Sequence, residues 1–218
     1  MLRPIALAAG GTGGHLFPAE ALAGELARRG ERPVLFTDAR TAARLGPGFA
    51  GVETHVIRAE GIAGRGLARL PGAAFALARG MAEARGLLAA LAPATVVAFG
   101  GYPSIPPVLA ARTLPRARRP RVVLHEQNAV LGRANRMLAR FAARIALSFD
   151  RVAGLPPDSR VEVTGNPVRP AIAAVAERPY PDQDGDLRLL VTGGSQGARI
   201  MADIVPPAIE RLEPALWP

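Results

Sequence analysis

The stretch LAAGGTGGHLFPAEALAGEL, residues 7–26, decides the fold of this chain. A short apolar run leads into it, four glycines and a threonine fill residues 10–14, and an amphipathic run follows His15. A glycine-rich turn between a buried strand and a helix lets the backbone approach a bound ligand closely. The free N–H groups at the start of such a helix suit phosphate oxygens. The stretch therefore predicts a strand, a phosphate-binding loop and a helix, with a tight turn that binds nothing as the alternative.

Short apolar runs alternate with helical patterns along the first 150 residues. The runs are apolar at successive positions, which is typical of strands in a parallel sheet covered by helices on both faces. The pattern predicts an α/β fold, a Rossmann-like doubly wound parallel sheet. The predicted strands are residues 4–9, 33–37, 52–57, 95–99, 121–125 and 145–148, and the predicted helices are residues 18–29, 73–91, 105–111 and 132–143.

A second unit of the same kind begins after residue 186. Residues 187–192 predict a strand, and the sequence GGSQGAR at residues 193–199 follows it as a second glycine loop. About thirty residues cannot bury a core of their own, so we expect the chain to be truncated. The predicted organisation is a first domain at residues 1–164, a hinge and linker at residues 165–186, and the beginning of a second, similar domain at residues 187–218.

Composition and charge exclude several kinds of site. The chain has no cysteine, which excludes disulfides and thiolate-bound metals, and no lysine, which excludes a phosphate loop of the Walker type. Its net charge is +9, and residues 1–149 carry the excess, because 20 arginines against 8 acidic residues give +12 there. Such a surface attracts phosphates, nucleic acid or an anionic membrane. The longest apolar candidate for a membrane span, residues 86–101, is short and interrupted by Pro93, so we expect a cytoplasmic protein that can rest on a membrane.

Two polar clusters follow predicted strands further along the chain. The sequence GGY at residues 100–102 follows one strand, and HEQN at residues 125–128 ends the next. Ligands bind beyond the carboxyl ends of the strands in an open α/β sheet, so we expect these loops to meet the first glycine loop at one cleft. An ordinary turn at the glycine pair and helix capping by the asparagine of HEQN are the structural alternatives. His15 is the first candidate for a general base, and Glu126 is the second.

Two other functions are alternatives at this point. A nicotinamide-dependent oxidoreductase would use the pattern G-x-G-x-x-G, which matches at Gly11 and Gly13 but has Leu16 in place of the third glycine. Asp38, after the second strand, is the matching candidate for a ribose-binding acid. A nucleic-acid-binding module would explain the positive charge, but aromatic residues make up only 5% and no nucleic-acid-binding motif is present.

Five segments in order carry a resemblance to one enzyme family. They are GGTGGHLFPAEALAGEL at residues 10–26, GGYPSIPP at 100–107, HEQNAVLGRANRMLAR at 125–140, GNPVR at 165–169 and GGSQGAR at 193–199. From about residue 5 to residue 206, the chain resembles the bacterial undecaprenyl-diphospho-muramoylpentapeptide β-N-acetylglucosaminyltransferases. These hexosyltransferases make lipid II from lipid I in peptidoglycan synthesis, and so serve cell wall biogenesis, cell shape and cell division. Related glycosyltransferases that act on diacylglycerol share the architecture and are the alternative.

The resemblance implies a two-domain GT-B fold in which the first domain holds the lipid acceptor and the second holds most of the UDP-sugar. It implies transfer of N-acetylglucosamine from UDP-N-acetylglucosamine to the muramoyl 4-hydroxyl of lipid I, with inversion. The predicted cleft segments contain no D-x-D-like pair suited to a metal–diphosphate bridge, so we expect no catalytic metal and no cofactor. Members of the family continue far beyond the length of this chain and include a uridine pocket there. We therefore expect the chain alone to be inactive.

The same resemblance implies roles for particular residues and partners. It implies a peripheral protein on the cytoplasmic side of the inner membrane, docked on anionic lipid through the basic and apolar residues 65–85. The missing nucleic-acid-binding motif predicts no nucleic-acid partner, and proteins of cell-wall synthesis or division are further candidate partners. The implied contacts are Thr12, Gly13, Gly14, Asn128, Arg169 and Ser195 for UDP-N-acetylglucosamine, Gly100, Gly101, Tyr102 and Gln127 around the acceptor, and His15 and Glu126 at the reacting centre.

Overall fold

The structure, a computed structural model, describes residues 3–58, 70–179, 189–193 and 198–213, with only the backbone at residues 70 and 71. The chain divides into two compact units, Met1–Ala173 and Ala174–Pro218. The domain boundaries proposed from the sequence, at residues 164 and 186, stay predictions.

The first unit is built on a parallel sheet of seven strands. The strands lie in the order β3-β2-β1-β4-β5-β6-β7, and every neighbouring pair is parallel. The order reverses between β1 and β4, and such a reversal is the point at which open α/β sheets bind ligands. The strands are β1 (Ile5–Ala8), β2 (Pro33–Thr37), β3 (Glu53–Val56), β4 (Thr95–Ala98), β5 (Arg121–Glu126), β6 (Arg144–Leu147) and β7 (Val161–Val163).

Helices connect the strands of this unit. Thr12 has the extended backbone of a capping residue, with φ −130° and ψ 159°, so the first helix begins at Gly13 and not at residue 18 as predicted. None of the helices within the described ranges is long and apolar enough to cross a membrane. The helices are α1 (Gly13–Arg28), α2 (Ala39–Ala42), α3 (Leu70–Leu91), α4 (Ile105–Thr113), α5 (Arg133–Leu138) and α6 (Pro170–Ala173), and 3-10 turns lie at Pro47–Phe49, Tyr102–Ser104, Arg116–Arg118 and Ala139–Phe141.

The core lies on both faces of the sheet. Ala6 and Ala8 of β1 belong to a buried cluster that includes residues of α3, α4 and α5. Leu7 and Ala9 point to the opposite face and belong to a second cluster with residues of α1. Because neighbouring side chains on a strand point to opposite faces, burial on both faces requires an apolar residue at every position of β1. The α/β fold with a doubly wound parallel sheet is therefore confirmed.

The ends of the predicted strands differ only slightly from the structure, and the ends of two predicted helices differ more. Each predicted strand of the first unit is present, with its ends shifted by at most one residue. β7 was not predicted, because all three of its residues are exposed and their alternation of apolar and charged side chains is too short to identify. The helix predicted at residues 132–143 ends earlier, since Ala142 already has the extended backbone that leads into β6.

The second unit contains the helix α7 (Arg199–Ile209). The strand predicted at residues 187–192 is absent at residues 189–192, where Leu190 is 84% exposed. The described part of this unit offers no second strand with which these residues could pair, and an unpaired strand leaves its backbone groups unsatisfied. Residues 187 and 188 and residues 194–197 of the second glycine loop lie outside the described residues.

Candidate active site

Three loops meet at the point where the strand order reverses. They follow β1, β4 and β5, which are neighbours in the sheet. The hydroxyl of Ser104 is 2.9 Å from the carbonyl oxygen of Ala8 and 2.7 Å from that of Gly100, which joins the first two loops. The Nδ1 atom of His15 is 3.0 Å from Oε1 of Gln127, which joins the first loop to the third. The three loops therefore border one cleft.

The imidazole of His15 lies against bare backbone. Gly100 and Gly101 have φ angles of +88° and +71°, in the left-handed region that favours glycine. A Cβ atom on Gly100 would lie 3.2 Å from Cε1 of His15, and one on Gly101 would lie 3.2 Å from Cδ2 of the same ring. The Gly101 Cβ would also lie 3.1 Å from the carbonyl oxygen of Gly10. The glycine pair therefore provides both the turn and the space that the histidine ring occupies.

A chain of hydrogen bonds runs from His15 into the protein. Nε2 of Gln127 is 2.9 Å from Nδ1 of His125 and 3.0 Å from the carbonyl oxygen of the same residue. Nε2 of His125 is 3.2 Å from the carbonyl oxygen of Gly165. His125 is 4% exposed, and its burial lowers the pKa of its imidazole, while the Gly165 carbonyl and the charge of Glu126 act in the opposite direction.

The carboxylate of Glu126 is fully used as a hydrogen-bond acceptor. Its Oε1 accepts from the backbone N–H of Asn128 at 3.1 Å and from Nδ2 of the same side chain at 2.8 Å. Its Oε2 accepts from the N–H of Gly132 and from Nδ2 of Asn135, both at 2.9 Å. Glu126 is 1% exposed, so these bonds replace the water that it lost on folding. Gly132 caps α5, and the side chain of Asn128 bonds to Glu126 instead of capping this helix.

A cavity of about 490 Å³ lies beside this network. Its polar side includes His15, Glu126 and Asn135. The Oδ1 atom of Asn135 is buried and accepts no hydrogen bond from the described part of the chain. A cavity of this volume fits a sugar-sized group, since ligand pockets commonly measure about 300–1,000 Å³. The rest of the lining is Leu77, Gly100, Gly101, Tyr102, Ile105, Leu109, Gly132, Arg133, Ala134 and Met137.

Positive charge collects at the beginning of α1. The guanidinium carbon of Arg169 is 4.0 Å from the ring centroid of Phe17. The same ring covers Gly13, where a Cβ atom would lie 2.8 Å from Cε2 of Phe17. Arg169 is also 4.0 Å, through Nη1, from Oε2 of Glu20, a carboxylate that is 3% exposed. The arginine therefore lies next to the positive end of a helix, an arrangement that suits a diphosphate.

Asp38 is a capping residue in this region. Its Oδ1 accepts from the backbone N–H groups of Arg40 and Thr41, and its Oδ2 accepts from the Thr41 hydroxyl at 2.7 Å. The same Thr41 oxygen accepts the N–H of Gly11 at 3.1 Å. Asp38 thus caps α2 and supports the first glycine loop, which removes the ribose-binding argument for a nicotinamide cofactor.

The structure adds residues that sequence reasoning did not assign to the site. Phe17, Glu20 and Asn135 join it from helices, and His125, predicted only as a member of the HEQN cluster, is bonded to Gln127. The available signal was a polar residue at a buried helical position, which applies to Glu20 and Asn135. Ser195 lies outside the described residues. Within the ranges that the structure describes, no three His, Cys, Asp or Glu side chains lie close enough to hold a metal ion.

The strand order, the glycine loops at its reversal and the histidine beside a cavity define the N-terminal domain of a GT-B-type glycosyltransferase. The family model of the glycosyltransferase family 28 N-terminal domain matches residues 5–147. The chain belongs to this family.

Curated relatives match the chain over nearly its whole length. A protein of Acidiphilium cryptum (strain JF-5) is 58% identical over 216 residues, covering 99% of this chain and 58% of the relative. A protein of Granulibacter bethesdensis is 55% identical, covering 98% of this chain and 56% of the relative. Both are named UDP-N-acetylglucosamine–N-acetylmuramyl-(pentapeptide) pyrophosphoryl-undecaprenol N-acetylglucosamine transferase. The chain therefore spans a little over half the length of these relatives, and the resemblance inferred from the five segments is confirmed.

Solved structures agree with the fold. The crystal structure of Acinetobacter baumannii MurG superimposes with a TM-score of 0.71 at 30% identity, covering 97% of this chain and 58% of that one. The glycotransferase of kitacinnamycin gives a TM-score of 0.55 at 14% identity, covering 88% of this chain and 56% of that one. The second likeness concerns the fold alone, and together they support the GT-B type.

Proposed function

We propose that this chain supplies the acceptor side of an enzyme that transfers N-acetylglucosamine from UDP-N-acetylglucosamine to lipid I, giving lipid II. The observation that carries the proposal is His15, held against the bare backbone of Gly100 and Gly101 at the edge of a partly apolar cavity. The names of the relatives agree with this reaction. A related glycosyltransferase acting on another glycolipid is the alternative within the same fold.

The chemistry at the site is an inverting displacement. The muramoyl 4-hydroxyl oxygen attacks the anomeric carbon of the donor from the face opposite UDP. The bond between that carbon and the diphosphate breaks as the new glycosidic bond forms, and UDP leaves. His15 takes the hydroxyl proton, a step that typically contributes about 10²–10⁴ in rate. Glu126 is the second candidate for the base, but its four hydrogen bonds favour a role in holding the loop after β5.

The donor diphosphate lies, in this proposal, at the beginning of α1. Thr12, Gly13 and Gly14 offer the cap and first turn of that helix, and the first turn contains no acidic residue. Arg169 stands beside them on the ring of Phe17 and neutralises charge that develops on the leaving group. Asn128 is the remaining donor contact among the described residues, and Ser195, which lies outside them, stays a predicted contact. Removing one such group typically costs about 10²–10³ in rate.

The acceptor occupies the cavity of about 490 Å³ between the loops. Its muramoyl group lies near Gly100, Gly101 and Tyr102, which line the cavity together with His15. The apolar residues on α3, α4 and α5 face the less polar parts of the acceptor. Gln127, expected from the sequence to lie around the acceptor, is bonded through its side chain to two histidines, so its part is to hold them.

The protein is peripheral on the cytoplasmic face of the membrane in this proposal. Phe75 of α3 is 66% exposed, and the guanidinium carbon of Arg79 lies 6.0 Å from its ring centroid. An exposed aromatic residue beside an arginine suits the interface of an anionic bilayer. Residues 65–69 of the predicted docking region lie outside the described residues. Cell-wall synthesis and division proteins stay predicted partners.

The test is an assay of the full-length protein with UDP-N-acetylglucosamine and a lipid I analogue, beside the 218-residue chain. We expect the full-length protein to form lipid II and the shorter chain to form none. His15→Ala should lower kcat by about 10²–10⁴. His55→Ala is the control, since His55 lies on the edge strand β3 and bonds to Glu53 of the same strand. Activity of His15→Ala within about twofold of the unaltered protein would remove His15 as the base.

A further inference from the structure

We propose that His125 and Gln127 act as positioning residues that fix the tautomer of His15, leaving Nε2 as the atom that accepts a proton. The chemical use of that atom rests on the proposed function. The tautomer itself follows from the hydrogen bonds alone.

The chain of hydrogen bonds begins at the carbonyl oxygen of Gly165, which is an acceptor. That oxygen can only accept, so the Nε2 atom of His125, 3.2 Å away, must carry a hydrogen. Burial lowers the pKa of His125 and favours the neutral ring. A neutral imidazole with a hydrogen on Nε2 has a bare lone pair on Nδ1. Nδ1 of His125 is therefore an acceptor.

The orientation of the Gln127 amide follows from that acceptor. Only the NH₂ group of Gln127 can satisfy Nδ1 of His125 at 2.9 Å, and its second hydrogen faces the His125 carbonyl oxygen at 3.0 Å. The reversed amide would place an oxygen against both a lone pair and a carbonyl oxygen. Both hydrogens of the amide are thus used on His125, and the amide oxygen is directed to the first glycine loop.

The last bond decides the state of His15. Oε1 of Gln127 can only accept, so Nδ1 of His15, 3.0 Å away, must donate. In the neutral ring the lone pair then resides on Nε2. Among the described residues, no hydrogen bond is made to Nε2 of His15, and the ring lines the cavity. Three hydrogen bonds, from the Gly165 carbonyl to His15 at the cavity, therefore prepare one nitrogen for proton transfer.

The direct test is nuclear magnetic resonance of the imidazole nitrogens in the 218-residue chain, which has only three histidines. We expect His15 to hold its hydrogen on Nδ1 and His125 to hold its hydrogen on Nε2. Gln127→Leu removes the acceptor while keeping a similar volume, so His15 should then populate both tautomers. His55→Gln is the control and should leave the His15 signals unchanged. A mixed tautomer in the unaltered protein, or an unchanged tautomer in Gln127→Leu, would overturn the proposal.

A second variant and a kinetic measurement separate this proposal from the proposed function. Gln127→Met, which has a similar length and also lacks the amide oxygen, should give the same mixed tautomers as Gln127→Leu. His125→Phe, which removes the acceptor that orients the Gln127 amide, should do so as well. In the full-length protein, Gln127→Leu should lower kcat about five- to tenfold with little change in the KM for UDP-N-acetylglucosamine. A loss confined to KM contradicts the positioning role. If the tautomers behave as stated but His15→Ala stays active, His125 and Gln127 still fix the tautomer of His15, and the assignment of His15 as the base fails.

Discussion

Replacing Glu126 with glutamine should strongly destabilise the first unit. The carboxylate accepts two N–H groups on each oxygen, from Asn128 on one side and from Gly132 and Asn135 on the other. A glutamine has the same shape but only one oxygen. In either orientation, its NH₂ group faces two donors, so two hydrogen bonds are lost and two N–H groups lose their acceptor.

The size of the effect follows from that count. Hydrogen bonds to a charged group contribute about 1.5–3 kcal/mol each, so losing two costs about 3–6 kcal/mol. A domain has a free energy of unfolding of about 5–15 kcal/mol, so the loss is a large part of the whole. For a unit of this size, each kcal/mol lowers Tm by about 2–4 °C, which makes the expected fall on the order of 10 °C.

The assay is urea and thermal unfolding of the 218-residue chain, followed by circular dichroism. Glu53→Gln is the matched control, because Glu53 bonds to Arg32 and His55 at the exposed edge of the sheet and exposed ion pairs contribute little. We expect the control to lose less than about 1 kcal/mol. If Glu126→Gln also unfolds within about 1 kcal/mol of the unaltered chain, the network does not stabilise the loop after β5 and Glu126 becomes available as a base.

Three further results are expected. Gly101→Ala should destabilise the chain more than Gly51→Ala in urea unfolding. Both glycines have φ above +70°, but a Cβ on Gly51 meets nothing within 4 Å, whereas one on Gly101 meets His15. Equal losses of stability would mean that the His15 ring moves aside freely. Folding lowers the pKa of His125, so the neutral ring favours the folded state. The free energy of unfolding should therefore decrease as the pH falls below about 6.5, by at most about 1.4 kcal/mol per pH unit. His125→Phe should lack this component in pH-dependent melting curves. Phe17→Leu should weaken UDP-N-acetylglucosamine binding by the full-length protein about threefold in calorimetry, by removing the ring under the arginine, and an unchanged affinity would separate that arginine from the donor.

Much of the fold could be predicted from the chain itself. A strand buried on both faces is apolar at nearly every position, so β1, β2 and β4 are visible as short apolar runs. β7 was not predicted because the residues of an exposed edge strand do not form an apolar run. α1 was predicted to begin too late because Pro18 resembles a first helical residue, although Thr12 provides the actual cap.

The candidate site was only partly predictable. Glycines and polar residues directly after apolar runs identified the three loops, since parallel strands bring their carboxyl ends to one edge. The bonds within the loops were not predictable. Glu126 was assigned a chemical role from its residue type, but the structure surrounds it with N–H groups. Asn135 contributes from a helix, nine positions further along the chain, where no local pattern connects it to Glu126.

The sequence alone determined the class of fold, the places where loops meet the cleft and the family, because these depend on hydrophobic pattern and on motifs in order. Only the tertiary structure decided which polar atoms face each other. The chain of hydrogen bonds from Gly165 through His125 and Gln127 to His15 includes one bond between residues 112 positions apart. Hydrogen bonds require a donor and an acceptor within about 3 Å, and only the folded backbone sets such distances.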